Sequence, residues 1–161
     1  MGARMPNSSR CKDAYERALD LTLRRDYTTS EVERKLLHDG YSPEEAQKAI
    51  GRLVERDLLN DVRYVELYVL QRLAACYGPR YIEEKLYLKG IARRVSIEVI
   101  ERSIAEESID LERNARRWIE KVDLDNQRER TKALRRLTAR GYEYGLIRRL
   151  LEEEIRDDDC L

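Results

Sequence analysis

The sequence predicts an all-α fold of three tandem three-helix repeats forming an elongated, curved molecule. Three observations predict it. A unit of basic residue, Leu, three residues and Gly stands at Lys35-Leu36 with Gly40. It returns 50 positions later at Lys85-Leu86 with Gly90, and 51 after that at Arg136-Leu137 with Gly141. A period of this length marks a repeat architecture, in which small units bury apolar surface on their neighbours. Apolar residues recur at spacings of three and four, and no β-branched alternation is long enough for a strand. Finally, 40% of the 161 residues are charged while 42% are apolar, which suits helices with a narrow buried stripe and excludes a disordered chain.

Residues 1–12 read as a flexible leader without periodicity. Repeat 1 spans 13–60. Tyr15, Leu19 and Leu23, with Ala18 beside them, predict an amphipathic helix over 13–25 that Arg24 and Arg25 close. Thr28 or Thr29 caps a second helix with Val32, Leu36 and Leu37 on its apolar side, and Gly40 ends it. Ser42-Pro43-Glu44-Glu45 is the clearest start in the chain: a cap, a proline at the first helical position and an acid at the third. Ala46, Ala49, Ile50, Leu53 and Val54 make the stripe of that helix.

Repeat 2 spans 61–109. Asn60 or Asp61 caps a helix carrying Tyr64, Val65, Tyr68, Val69, Arg72 and Leu73. Gly78 breaks the chain, and Pro79 opens a helix whose Ile82 and Leu86 share a face as far as Gly90. A third start near Ile91–Ser96 leads to Ile97, Ile100 and Ile104. Repeat 3 spans 110–156. Ala115, Trp118, Ile119 and Val122 form its first stripe, Asp123–Asn126 a polar link, and Ala133, Leu134 and Leu137 lead to Gly141. Tyr144, Ile147, Leu150 and Leu151 belong to its last helix, and residues 157–161 form an acidic tail.

Enzyme chemistry is not expected. The glycines are scattered and form no phosphate loop, and the single histidine, His38, has no Ser or Cys partner. The glutamate pairs 44–45, 83–84 and 106–107 read as helix surface. Cys11, Cys76 and Cys160 are odd in number and far apart, so neither a disulfide framework nor a metal site is expected, and Cys76 reads as a small buried apolar residue. No cofactor is implied. No segment approaches the ~20 apolar residues of a membrane span. The first residues lack the apolar core of a signal peptide, so the cytoplasm is the expected compartment.

Charge carries the remaining signal. The whole chain is neutral, yet Arg113–Arg149 holds 12 basic against 5 acidic residues, and the stretch from Leu150 holds six acids against one arginine. A basic segment followed by an acidic tail points to nucleic-acid association, the plainer alternative being a solvated helix face with i,i+4 pairs. The candidate binding residues are Arg24, Arg25, Lys35, Arg72, Arg80, Lys85, Lys89, Arg116, Arg117, Lys132, Arg135, Arg136 and Arg140, with repeat 3 the foremost face. Such residues bind phosphate without reading sequence. The tyrosines among them (Tyr64, Tyr68, Tyr77, Tyr81, Tyr87) are expected to be packing residues rather than base-stacking platforms.

Several stretches resemble the RecX family of recombinase regulators: Leu23-Arg-Arg-Asp-Tyr27, Glu33-Arg-Lys-Leu36, Gly40-Tyr-Ser42, Leu58-Leu-Asn-Asp-Val-Arg-Tyr64, Tyr77-Gly-Pro-Arg-Tyr-Ile-Glu-Glu-Lys-Leu86 with Lys89-Gly90, and Lys132-Ala-Leu-Arg-Arg-Leu137 with Arg140-Gly-Tyr142. The resemblance covers roughly 13–155 and lies in the order of the motifs. Tyr64 and Tyr142 stand where the family often has Phe, which keeps ring bulk but asks each buried hydroxyl for a partner. The resemblance implies a non-catalytic, monomeric protein that binds RecA and RecA filaments on single-stranded DNA. It would lodge in the filament groove and restrain filament extension, ATPase and strand exchange. A stand-alone helix-turn-helix DNA-binding protein is the alternative, since the second and third helices of each repeat join at a Gly turn.

Overall fold

The computed structural model describes residues 13–123 and 125–158, with side chains through residue 152. The leader 1–12, Cys11, Cys160 and residues 159–161 of the tail lie outside the described residues. Those described form nine α-helices and no strand: α1 (Ala14–Thr22), α2 (Thr29–His38), α3 (Pro43–Glu55), α4 (Asp61–Ala74), α5 (Pro79–Leu88), α6 (Arg93–Glu106), α7 (Leu111–Arg116), α8 (Gln127–Ala139) and α9 (Tyr144–Asp158). None is long and apolar enough to cross a membrane.

The periodic motif is a periodic turn. Gly40, Gly90 and Gly141 end α2, α5 and α8 at φ of 86°, 86° and 83°, the left-handed region that glycine enters without a Cβ penalty. The N–H of the next residue then reaches back five positions to the repeated leucine: Tyr41 to Leu36 (3.1 Å), Ile91 to Leu86 (3.1 Å) and Tyr142 to Leu137 (3.2 Å). All three leucines are fully buried, and the residue after each glycine is buried as well. Asp57 and Ser108 close α3 and α6 by the same device.

The chain separates into two compact units, Met1–Tyr64 and Val65–Leu161. In the first, α1, α2 and α3 enclose a core of Ala14, Ala18, Val32, Leu36, Tyr41, Ala46, Ala49, Leu53 and Leu59. Thr28 and Ser42 both make capping boxes, with Glu31 and Glu45 returning the bond to the cap N–H. Asn60, not Asp61, caps α4, its Oδ1 accepting from the Arg63 N–H at 3.0 Å. Asp61 instead accepts from the N–H and hydroxyl of Thr29 at 2.8 and 2.7 Å, tying the start of α2 to the start of α4.

Several expected stripe residues face water. Leu23 is 76% exposed, and α1 stops at Thr22, leaving Arg24 and Arg25 beyond it. A strict four-residue row drifts about 40° per step around a helix, so its third member has left the core, whereas the 4–3 row Ala14, Ala18, Leu21 stays in. Leu37 and Val54 sit beside the buried Leu36 and Leu53 and are likewise exposed. On α6 the buried row is Ser96, Val99, Ile100 and Ser103, and Ile97 is exposed. The Ser96 hydroxyl satisfies itself within the helix by donating to the Arg93 carbonyl at 2.9 Å.

In the second unit α5 packs on α6, α8 on α9 and α7 on α9. Ala115, Ile119, Ala133, Leu137, Tyr142, Ile147, Leu150 and Leu151 form one core cluster. The helix of α7 ends at Arg116, and Trp118, Ile119 and Val122 follow in tight turns whose N–H groups reach carbonyls three residues back. Ile97, Ile100, Ile104, Leu111, Tyr142 and Leu146 line an apolar groove of about 510 Å³ in this unit.

Candidate nucleic-acid interface

Two glycines place the site. The N–H of Gly78 donates to the Arg140 carbonyl at 2.7 Å, and that of Arg80 donates to the Gly141 carbonyl at 3.1 Å. Side chains are excluded on both sides of this joint. A Cβ on Gly78 would lie 2.4 Å from the Gly141 oxygen, and one on Gly141 would lie 2.1 Å from the Tyr81 nitrogen. Cys76, at φ 56° just before the break, offers its carbonyl to the Trp118 Nε1–H at 3.0 Å and to the Tyr142 hydroxyl at 2.9 Å. This carbonyl is the partner that a buried Tyr142 requires. Burial also pushes that phenol above its ordinary value, so it remains a donor. The end of α4 and the end of α8, more than sixty residues apart, are thereby held together.

Around the joint gather arginines on aromatic faces. Tyr77 and Tyr81 stack at 4.3 Å between ring centres. The Arg140 guanidinium lies 3.5 Å from the Trp118 ring and 4.5 Å from that of Tyr77. Arg72 lies 4.9 Å from the Tyr68 ring and 5.8 Å from Tyr77, and the Lys85 ammonium 5.2 Å from Tyr81. Arg117 Nη1 donates to Cys76 Sγ at 3.6 Å, and Arg136 Nη1 to the Trp118 carbonyl at 3.2 Å. Among the described residues Arg72, Arg117, Arg136 and Arg140 have no carboxylate partner, and the buried Nε of Arg72 has no acceptor at all. Of these four, Arg72 and Arg140 are held over aromatic faces.

The other candidates are placed differently. Arg80 pairs with Glu143 (3.2 Å), Arg116 with Glu112 (2.9 Å) and Lys132 with Glu129 (2.6 Å). Lys89 caps α5 through its backbone, and Arg135 is exposed on α8. In the first unit Arg25 and Lys35 flank the Tyr27 ring at 4.1 and 5.6 Å, Arg25 also standing 3.8 Å from Glu31, and Arg24 is exposed. Tyr68, Tyr77 and Tyr81 are half-buried, and Tyr87 is exposed with Arg93 over its ring at 4.7 Å. Sequence reasoning passed over Arg52 and Arg56, which lie 3.8 and 5.5 Å from the Tyr15 ring in the first unit. Their i,i+4 spacing at the end of α3, where Arg56 is the C-cap, was the available signal. Trp118 packs against the Ala115–Leu151 core cluster, as its place in an apolar stripe predicts, and its indole also lies beneath Arg140. Among the described residues no group of three or more His, Cys, Asp or Glu is placed to hold a metal ion.

Residues 14–53 match the family description "RecX, first three-helix domain". A regulatory protein RecX from Pseudomonas fluorescens is 35% identical over 142 residues, covering 88% of this chain and 91% of its own. One from Ectopseudomonas mendocina is 38% identical over 138 residues, covering 83% and 89%. The crystal structure of RecX from Lactobacillus salivarius superposes with a TM-score of 0.70 at 24% identity, over 87% of this chain and 93% of that one, which shows the shared fold. With more than a third of residues identical along most of both chains, this chain belongs to the RecX family of regulatory proteins.

Proposed function

We propose that this chain is a non-catalytic regulator that binds RecA and RecA–single-stranded DNA filaments, inhibiting filament extension, ATPase and strand exchange, and so tempers DNA repair and recombination. The family of its relatives supports the choice of partner. The observation that supports the nucleic-acid part is the gathering of Arg72, Arg117, Arg136 and Arg140 about the joint of Gly78 and Gly141, where their contacts are rings, a sulfur and a carbonyl. Arg80, Arg116 and Lys132, by contrast, are each paired with a neighbouring acid. Arg72 and Arg140 on ring faces, with Arg117 and Arg136 held by Cys76 and the Trp118 carbonyl, present a positive field to a polyanion.

The chain acts as a monomer by surface complementarity, through three-helix repeats at 13–60, 61–109 and 110–156. Many weak contacts along a filament groove take the place of a catalytic pocket. The test is ATP hydrolysis by purified RecA on single-stranded DNA, titrated with this chain. Hydrolysis is expected to fall to a residual level at saturating amounts, and turnover that stays at the RecA-alone rate rejects the reading. A duplex footprint at a defined sequence would favour the helix-turn-helix alternative instead.

A further inference from the structure

We infer that the apolar groove between α6 and α9 is a docking site for a cationic amphipathic helix of a partner protein. The inference goes beyond the function proposed above and does not depend on it, since a groove bordered by carboxylates repels a phosphate strand. One wall is a row on α6, Ile97, Ile100 and Ile104, and the other holds Leu111, Tyr142 and Leu146. Packing leaves these walls unfinished. Ile97 is 42% exposed, and Ile104, Leu111 and Leu146 are only half-buried. Helix α6 packs on α5, and α9 packs on α7 and α8, so that about 510 Å³ between these two groups is filled by neither.

Shape narrows the occupant. The isoleucines stand at i, i+3 and i+7, two turns of helix and about 10 Å of length. A second helix laid along them offers an apolar row of the same spacing, the way amphipathic helices fill grooves. Charge narrows it further. Glu83, Glu101, Glu112 and Glu143 border the groove against two guanidiniums, those of Arg80 and Arg149, in a chain of zero net charge. Arg80 meets Glu143 at 3.2 Å and Arg149 meets Glu112 at 3.3 Å, exposed pairs of small worth. Glu83 is paired with Arg93. Glu101 stands in the isoleucine row itself, one turn from Ile97 and one from Ile104, and has no cation partner among the described residues. A lysine or arginine beside an apolar anchor answers that carboxylate, whereas an acidic helix meets repulsion.

The experiment measures fluorescence anisotropy of three labelled peptides of about 14 residues with the full chain, at about 50 mM salt, where exposed charges are weakly screened. The first places Leu at i, i+3 and i+7 among lysines. The second replaces each Lys by Glu, and the third permutes the first to break its leucine row. The lysine peptide is expected to bind about tenfold more tightly than either of the others. Ile97→Lys, which sets a charge among the apolar walls at an exposed position, should weaken it about tenfold. Glu101→Lys should weaken it about tenfold and tighten the glutamate peptide about threefold, an inversion that loss of folding cannot produce. Leu67→Lys, at an exposed position of α4 outside the groove, should keep parental affinity.

Equal binding of the lysine and glutamate peptides would remove the charge argument and overturn the inference. Equal binding of the permuted peptide would do the same, because no helical row is then being recognised. Parental affinity in both Ile97→Lys and Glu101→Lys would place peptide binding elsewhere. Sedimentation of the parent alone reports the other occupant. A dimer that Ile97→Lys dissolves assigns the groove to a second copy and overturns the inference, whereas a monomer at the concentrations used for binding supports a partner helix.

Discussion

The Tyr142 hydroxyl is buried with one acceptor, the Cys76 carbonyl, and that carbonyl has a second donor in the Trp118 indole. Removing the hydroxyl therefore leaves no unsatisfied acceptor behind. Tyr142→Phe is expected to cost only about 1 kcal/mol, the net worth of a neutral hydrogen bond, as read from urea unfolding at pH 7. The alkaline limb distinguishes the two proteins further. Because burial raises the folded phenol above its unfolded value near 10, the phenol's contribution is complete below that pH and is lost as pH rises past it. The parent should lose stability above about pH 10 by a component that the Phe variant lacks. That Tyr142 needs a partner was legible in the sequence. That the partner is a carbonyl 66 residues away was not, since nothing local marks Cys76 as its acceptor.

Helix ends were the most readable elements, because a cap is decided within four residues. Thr28 with Glu31, Ser42 with Glu45, and the glycines at 40, 90 and 141 all stand where local chemistry puts them. Helix faces were harder. Ser96 and Ser103 occupy a buried row that hydropathy assigns to Ile97, and Leu23 keeps the period in sequence while the helix rotates it away. The glycines also divide by what surrounds them, which gives a paired prediction. Gly51 lies inside α3, and a methyl group added there would meet nothing within 4 Å, so Gly51→Ala should raise stability by about 1 kcal/mol. Gly141→Ala places a methyl against the Tyr81 backbone at positive φ and should lower it by at least about 2 kcal/mol. Thermal or urea unfolding of both variants checks the pair, and a stabilised Gly141→Ala would refute the packing described for the joint.

At the scale of the molecule, the sequence shows where basic residues lie but not which remain uncompensated. Arg80 and Arg140 look alike on paper. One meets Glu143 and the other meets only rings, a distinction set by neighbours from other helices. Charge segregation along the chain also carries an expectation about the acidic end. Removing residues 157–161, three of them Asp, should tighten binding to bare single-stranded DNA at low salt and have little effect at high salt, where exposed charges are screened. A titration at two ionic strengths decides it, and equal affinity with and without the tail would dismiss a self-shielding role. The arginine cluster depends, finally, on a seam stitched from main-chain atoms at Gly78, Arg80, Arg140 and Gly141. Such a seam is blind to side-chain identity, so the surrounding surface is free to be rewritten, by drift or by an engineer, so long as neither glycine acquires a methyl group.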